Sequence, residues 1–63
     1  MLEVIITYVD KKLGRETLSI LTYLRGDGFW QFLTVEGFTV NVLDHAVQKV
    51  EVHPVQNGPT TQS

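Results

Sequence analysis

The chain has 63 residues, no cysteine, and a formal net charge of −2. That length makes one domain, and the absence of cysteine excludes disulfide and thiolate–metal staples. Five Lys/Arg against seven Asp/Glu argue against strong electrostatic binding to phosphate.

Residues 2–9, LEVIITYV, are almost all β-branched, aromatic or aliphatic and read as a first strand. Alternation puts Leu2, Val4, Ile6 and Tyr8 on one side, with Ile5 and Val9 on the other. Asp10-Lys11-Lys12-Leu13-Gly14-Arg15 is a polar turn in which Gly14 takes the positive-φ position. ETLSILTYLR, 16–25, reads as a second strand despite its helix-favouring Leu, Glu and Arg. Strict alternation there sets Leu18, Ile20 and Leu24 on one face and Thr17, Ser19, Leu21, Tyr23 and Arg25 on the other.

Gly26-Asp27-Gly28 is a hairpin turn into a third strand, FWQFLTV, 29–35. Phe29, Leu33 and Val35 share one of its faces, and Trp30, Phe32 and Thr34 the other. Glu36-Gly37 is the two-residue spacing of a tight hairpin before FTVNVL, 38–43. Asp44-His45-Ala46-Val47 interrupts the pattern: a single 3₁₀ turn capped by Asp44 fits it. KVEVH, 49–53, alternates with Val50 and Val52 inward and Lys49, Glu51 and His53 outward, and Pro54 ends it. The polar PVQNGPTTQS, 54–63, is expected to be a disordered tail after a domain spanning 1–53.

Five short strands with tight turns point to an all-β barrel or sandwich, which removes exposed edges. The element order, with LDHAVQKVEV supplying a capping Asp, a turn and a Val-x-Val strand, resembles the SH3-like small barrels. The resemblance is architectural and covers residues 2–53. The Ala-Leu-Tyr-Asp-Tyr-type stretch and the acidic loop of signalling SH3 domains are missing, and an Sm-like barrel is the alternative. Such small barrels are common among accessory proteins of phages and mobile elements, and the fold does not fix a function.

Domains this small usually need a staple or a partner subunit, and two histidines alone cannot close a structural zinc site. The first and third strands are apolar on both faces, more than one small interior hides. The surplus reads as a contact patch of Trp30, Phe32, Tyr23 and Leu21. The leading expectation is therefore a non-enzymatic protein–protein interaction module that binds itself or another protein. The alternative is single-stranded nucleic-acid binding through Lys11, Lys12, Arg15 and Arg25 beside Tyr8 and Tyr23.

No catalytic constellation is visible. Asp44 and His45 are adjacent but lack a nucleophile, and GDG lacks the helix of a phosphate loop. A chain of this size leaves little room for a ligand pocket of about 300 Å³ or more. No cofactor, metal or small-molecule substrate is expected; a His45/His53 metal pair would require the 3₁₀ turn to fold back. The start MLEVIITYVD lacks the marks of a secretory signal, and no apolar run reaches the ~18 residues of a membrane helix. A cytoplasmic protein is expected.

Overall fold

The computed structural model describes residues 1–55. It is all-β: five antiparallel strands form one sheet in the order β4-β3-β2-β1-β5. β1 is Leu2–Tyr8, β2 Arg15–Gly26, β3 Phe29–Thr34, β4 Thr39–Leu43 and β5 Val47–Pro54. A single 3₁₀ turn, Asp44–Ala46, precedes β5.

The turns follow from local chemistry. In the β1–β2 turn the Asp10 carboxylate accepts the Lys12 amide at 2.9 Å, and Gly14 takes φ 65° as its place in the sequence predicts. Asp27 and Gly28 make a two-residue hairpin, with Gly28 at φ 83°. The β3–β4 connection is one residue longer than the expected Glu36-Gly37 pair. The Gly37 amide donates to the Thr34 carbonyl at 3.0 Å, and the Thr34 amide to the Phe38 carbonyl at 2.8 Å. Gly37 at φ 97° completes the three-residue loop, the hairpin built on a type I turn with a left-handed third residue. β5 begins at Val47 rather than after it and includes Pro54, while the Val55 amide donates to the Met1 carbonyl at 3.2 Å. The rest of the tail, 56–63, lies outside the described residues.

Two irregularities decide which side chains face where. Ile20 pairs with Thr34 and Thr22 with Leu33, so Leu21 is an extra residue on β2. Tyr8 pairs with Val47 and Thr7 with Lys49, leaving Gln48 extra on β5. An extra residue transfers everything beyond it to the opposite face. Strict alternation in β2 therefore fails after Ile20. Tyr23 and Arg25 join the face of Leu18 and Ile20, and Thr22 and Leu24 go to the other.

The sheet is curled. Leu43 pairs with Phe29 near one end of β2, and Val47 pairs with Tyr8 near the other. A straight β2 would hold those ends about 36 Å apart at ~3.3 Å per residue. The chain covers the gap in four residue steps, at most about 14 Å fully extended. β2 must therefore bend back on itself, and the 3₁₀ turn ties its two ends together. The Asp44 amide donates to the Gly28 carbonyl at 2.9 Å, and the Val9 amide to the Ala46 carbonyl at 3.0 Å. The roll stops short of closure: β4 and β5 remain the two edges of the sheet and share no ladder.

The concave face holds the core: Val4, Ile6, Ile20, Phe32 and Val42, flanked by Leu18, Trp30, Val40, Val50 and Val52. Burial of each such side chain stabilises the fold by about 1.5–3 kcal/mol. Thr34 is the buried polar residue among them, and its hydroxyl accepts the Phe38 amide at 3.0 Å.

Candidate protein-contact surface

The aromatic residues expected to face outward face the core. Trp30 and Phe32 stack at 5.9 Å between centroids with an interplanar angle of 8°. Phe32 has no solvent exposure and is a core residue rather than a contact residue. Trp30 is half-buried against it. Tyr23 leans on both rings, at 6.0 and 6.4 Å, and is exposed. Leu21, the bulge residue, is exposed. The bulge thus draws Tyr23 toward Trp30 and Phe32, on the concave side.

Arg25 crosses the same cluster. Its guanidinium lies 4.5 Å from the Trp30 ring centroid and donates to both Asp44 carboxylate oxygens, at 3.0 and 2.8 Å. Asp44 is therefore an ion-pair partner and not the expected helix cap; the 3₁₀ turn has no side-chain cap. The pair pins the 3₁₀ turn to the β2–β3 hairpin.

Of the basic residues expected to gather, Lys11 and Lys12 lie in the β1–β2 turn and Arg15 opens β2. Arg25 stands at the other end of that strand, engaged by Asp44. Acidic groups share the basic turn: Asp10 bonds the Lys12 amide, and Glu16 accepts the Tyr8 hydroxyl at 2.7 Å. Burial, reinforced by Glu16, pushes the Tyr8 phenol up to about 12. Tyr8, Leu13, Arg15 and Glu16 line an open cleft of about 400 Å³. A second cleft of about 370 Å³ lies over Thr22, Leu24, Gln31, Leu33 and Thr39. Both exceed the volume expected of so short a chain, and both are shallow and open to solvent.

His45 is exposed in the 3₁₀ turn, while His53 sits near the end of β5 with its Nε2 3.4 Å from Glu51. Among the described residues no three His, Cys, Asp or Glu side chains converge as metal ligands. Burial raises the Glu51 carboxyl, but Lys49 and His53 outweigh it and leave the pKa lowered. Among the described residues no helix is long and apolar enough to cross a membrane.

The feature that alternation along the sequence conceals is the outer, convex face. Its two halves differ in kind. Over β5, β1 and the first half of β2, the register sets Lys49–Thr7–Arg15, Glu51–Ile5–Thr17 and His53–Glu3–Ser19 in rows across the strands. Over the second half of β2, β3 and β4, the rows are Thr22–Leu33–Thr39, Leu24–Gln31–Asn41 and Gly26–Phe29–Leu43. The first half is studded with charge; the second carries none. Leu24 is 57% and Leu43 55% exposed, and Phe29 and Leu33 are half-buried between them. Phe38, 66% exposed, stands opposite Thr34 where the β3–β4 loop closes.

A glycine shapes the patch. A Cβ on Gly26 would lie 2.1 Å from the Phe29 ring, so the ring rests directly on Gly26 backbone. Aromatic cover of a strand glycine in this way restores some of the packing glycine lacks.

No family model, curated protein or solved structure matches the chain.

Proposed function

We propose that this protein is a non-enzymatic interaction module whose working surface is the uncharged outer face of β2, β3 and β4, and that it associates with copies of itself. One observation carries the reading: the contrast between the two halves of a single sheet face. Protein–protein contact surfaces are depleted in charge at their centre and enriched in aromatic residues. Exposed apolar patches on a small soluble domain mark such surfaces. Leu24, Leu33, Phe29 and Leu43 supply the apolar area, and Gln31 and Asn41 supply neutral hydrogen-bonding groups within it.

We read the scaffold as an SH3-like barrel that stays open. Three features support this: the β4-β3-β2-β1-β5 order, the lone 3₁₀ turn before the last strand, and a kinked β2 shared by both halves of the sheet. The rival nucleic-acid reading is weakened by the Arg25–Asp44 pair and by the carboxylates beside the basic turn.

The test is solution molar mass by light scattering across a concentration series. Wild-type protein is expected to run as a dimer or larger, and Leu33→Asp as a folded monomer. A wild-type monomer up to several hundred micromolar, on the order of the weakest specific contacts, would overturn the reading.

A further inference from the structure

Among the described residues the sheet has two edges, and they differ in their side chains. β5 carries Lys49, Glu51, His53 and Pro54, the charged residues and proline that natural proteins place on edges to prevent strand pairing. β4 reads Thr-Val-Asn-Val-Leu, with no charge and no proline.

The direction of the main-chain groups on β4 follows from its neighbours. The Thr34 amide donates to the Phe38 carbonyl, and the Asp44 amide to the Gly28 carbonyl. Phe38 and Asp44 therefore face β3, and alternation makes Val40 and Val42 do the same. The amides and carbonyls of Thr39, Asn41 and Leu43 face away, and among the described residues β4 has no strand on that side.

We infer that β4 pairs antiparallel with β4 of a second copy about a two-fold axis through Asn41, joining two sheets into one. This deepens the self-association reading above and rests on it. The occupant is identified by self-complementarity. A two-fold axis sets each residue of the central pair against itself, so a charged residue there would meet its like; β4 has none. The axis opposes Thr39 to Leu43 of the other copy on the outer face, small against large, and Val40 to Val42, valine against valine, on the concave face. It also brings the two Asn41 side chains together on the outer face, where directly opposed Cβ atoms lie about 4.5–5.5 Å apart. Asn41 Oδ1 already accepts from Gln31 Nε2 at 3.1 Å. Asn41 Nδ2 is the other polar group of that carboxamide, and an identical carboxamide across the axis offers it an acceptor in each direction. About six main-chain hydrogen bonds close the joint ladder, two at each outward-facing pair, and the uncharged face continues unbroken from one copy to the other.

A charge-swap experiment tests this register. Asn41→Lys and Asn41→Glu each place like charges across the axis while the side chain stays on the exposed face of the monomer. Each variant alone is expected to dissociate, with a dimer dissociation constant raised at least about tenfold. An equimolar mixture of the two is expected to recover the dimer mass. In the wild type, hydrogen exchange at the Thr39, Asn41 and Leu43 amides is expected to slow as concentration rises. Far-ultraviolet circular dichroism verifies that both variants stay folded. If both keep the wild-type mass while Leu33→Asp dissociates, association runs through the face and the edge pairing is wrong. If both dissociate and the mixture stays monomeric, the two-fold register through Asn41 is wrong. A wild-type monomer would remove the pairing together with the reading it rests on.

Discussion

Phe32 and Leu24 sit on opposite faces of the same β2–β3 ladder and should behave as opposites under mutation. Phe32 is fully buried, stacked on Trp30 and tilted against Tyr23. Truncating such a phenylalanine to alanine costs about 3–5 kcal/mol. A domain of this size has a total stability of about 3–9 kcal/mol at ~0.05–0.15 kcal/mol per residue. Phe32→Ala would therefore remove about a third or more of that stability and at the low end all of it, so Phe32→Leu is the more informative change. It keeps most of the volume, at a cost under about 1.5 kcal/mol, and removes the ring pairs, about 0.5–1.5 kcal/mol. The expected loss is about 1–2.5 kcal/mol. Leu24→Ala, on the outer face, should stay within about 0.5 kcal/mol.

Urea unfolding followed by the fluorescence of Trp30, the chain's single tryptophan, measures both. With a slope near 1 kcal/mol per molar, typical of so small a chain, Phe32→Leu should lower the midpoint by about 1–2.5 M. The comparison must be made at one low protein concentration, because association adds to apparent stability. Equal losses for the two variants would refute the assignment of faces, and with it the placement of the Leu21 bulge.

Three further outcomes follow from particular contacts. Gly26→Ala pushes a Cβ into the Phe29 ring and should cost about 1–3 kcal/mol by overpacking; adding Phe29→Ala should recover much of that, and strict additivity of the two would contradict the contact. A double-mutant cycle on Arg25 and Asp44, a half-exposed pair, should show coupling of about 0.2–1 kcal/mol that fades with salt. Arg25→Ala should cost more than Asp44→Ala because it also strips the Trp30 ring of its cation. The Tyr8 phenol should ionise near pH 12 in an absorbance titration, and Glu16→Gln should bring it back toward the ordinary value near 10. The neutral phenol is the form favoured by folding, so its contribution is complete below about pH 10 and drains away as pH rises toward 12. An unshifted Tyr8 in the folded protein would contradict both its burial and the Glu16 bond.

Most of the secondary structure was legible because its signals are local. Gly14, the Asp27-Gly28 turn and the Val-x-Val rhythm of β5 need only their neighbours to be read. The grouping of side chains on β1 and β3 also followed from alternation, but not which face of β3 turns inward: Phe32 and Trp30 pack in the core. What failed was alternation carried through β2. Ile20 and Leu21 are adjacent apolar residues, and that break in rhythm was the available sign of a bulge. A bulge is fixed by how β3 and β1 each pair with β2, which is not local. The role of Asp44 was hidden for the same reason: Arg25 is 19 residues away along the chain. The uncharged outer face cannot be seen along any one strand, since it exists only once three strands are in register.

The Leu21 bulge links fold to surface. Extend β2 past Ile20 without it, and Leu24 would turn inward while Tyr23 and Arg25 turned out. The exposed face of that half would then carry a cation and a phenol, and the concave side would gain an aliphatic residue where Trp30 now receives Arg25. With the bulge, the only charge on this half of β2 is drawn to the concave side and neutralised by Asp44. The same residue that bends β2 enough for the 3₁₀ turn to join its ends also clears charge from the outer face. A sheet that is open at β4 and uncharged beside it leaves apolar area and main-chain donors unmet at one place. A second copy presenting the same strand meets the main-chain groups and joins the two uncharged faces into one wider surface, so slowed exchange at the Thr39, Asn41 and Leu43 amides is expected to appear and vanish with the dimer mass.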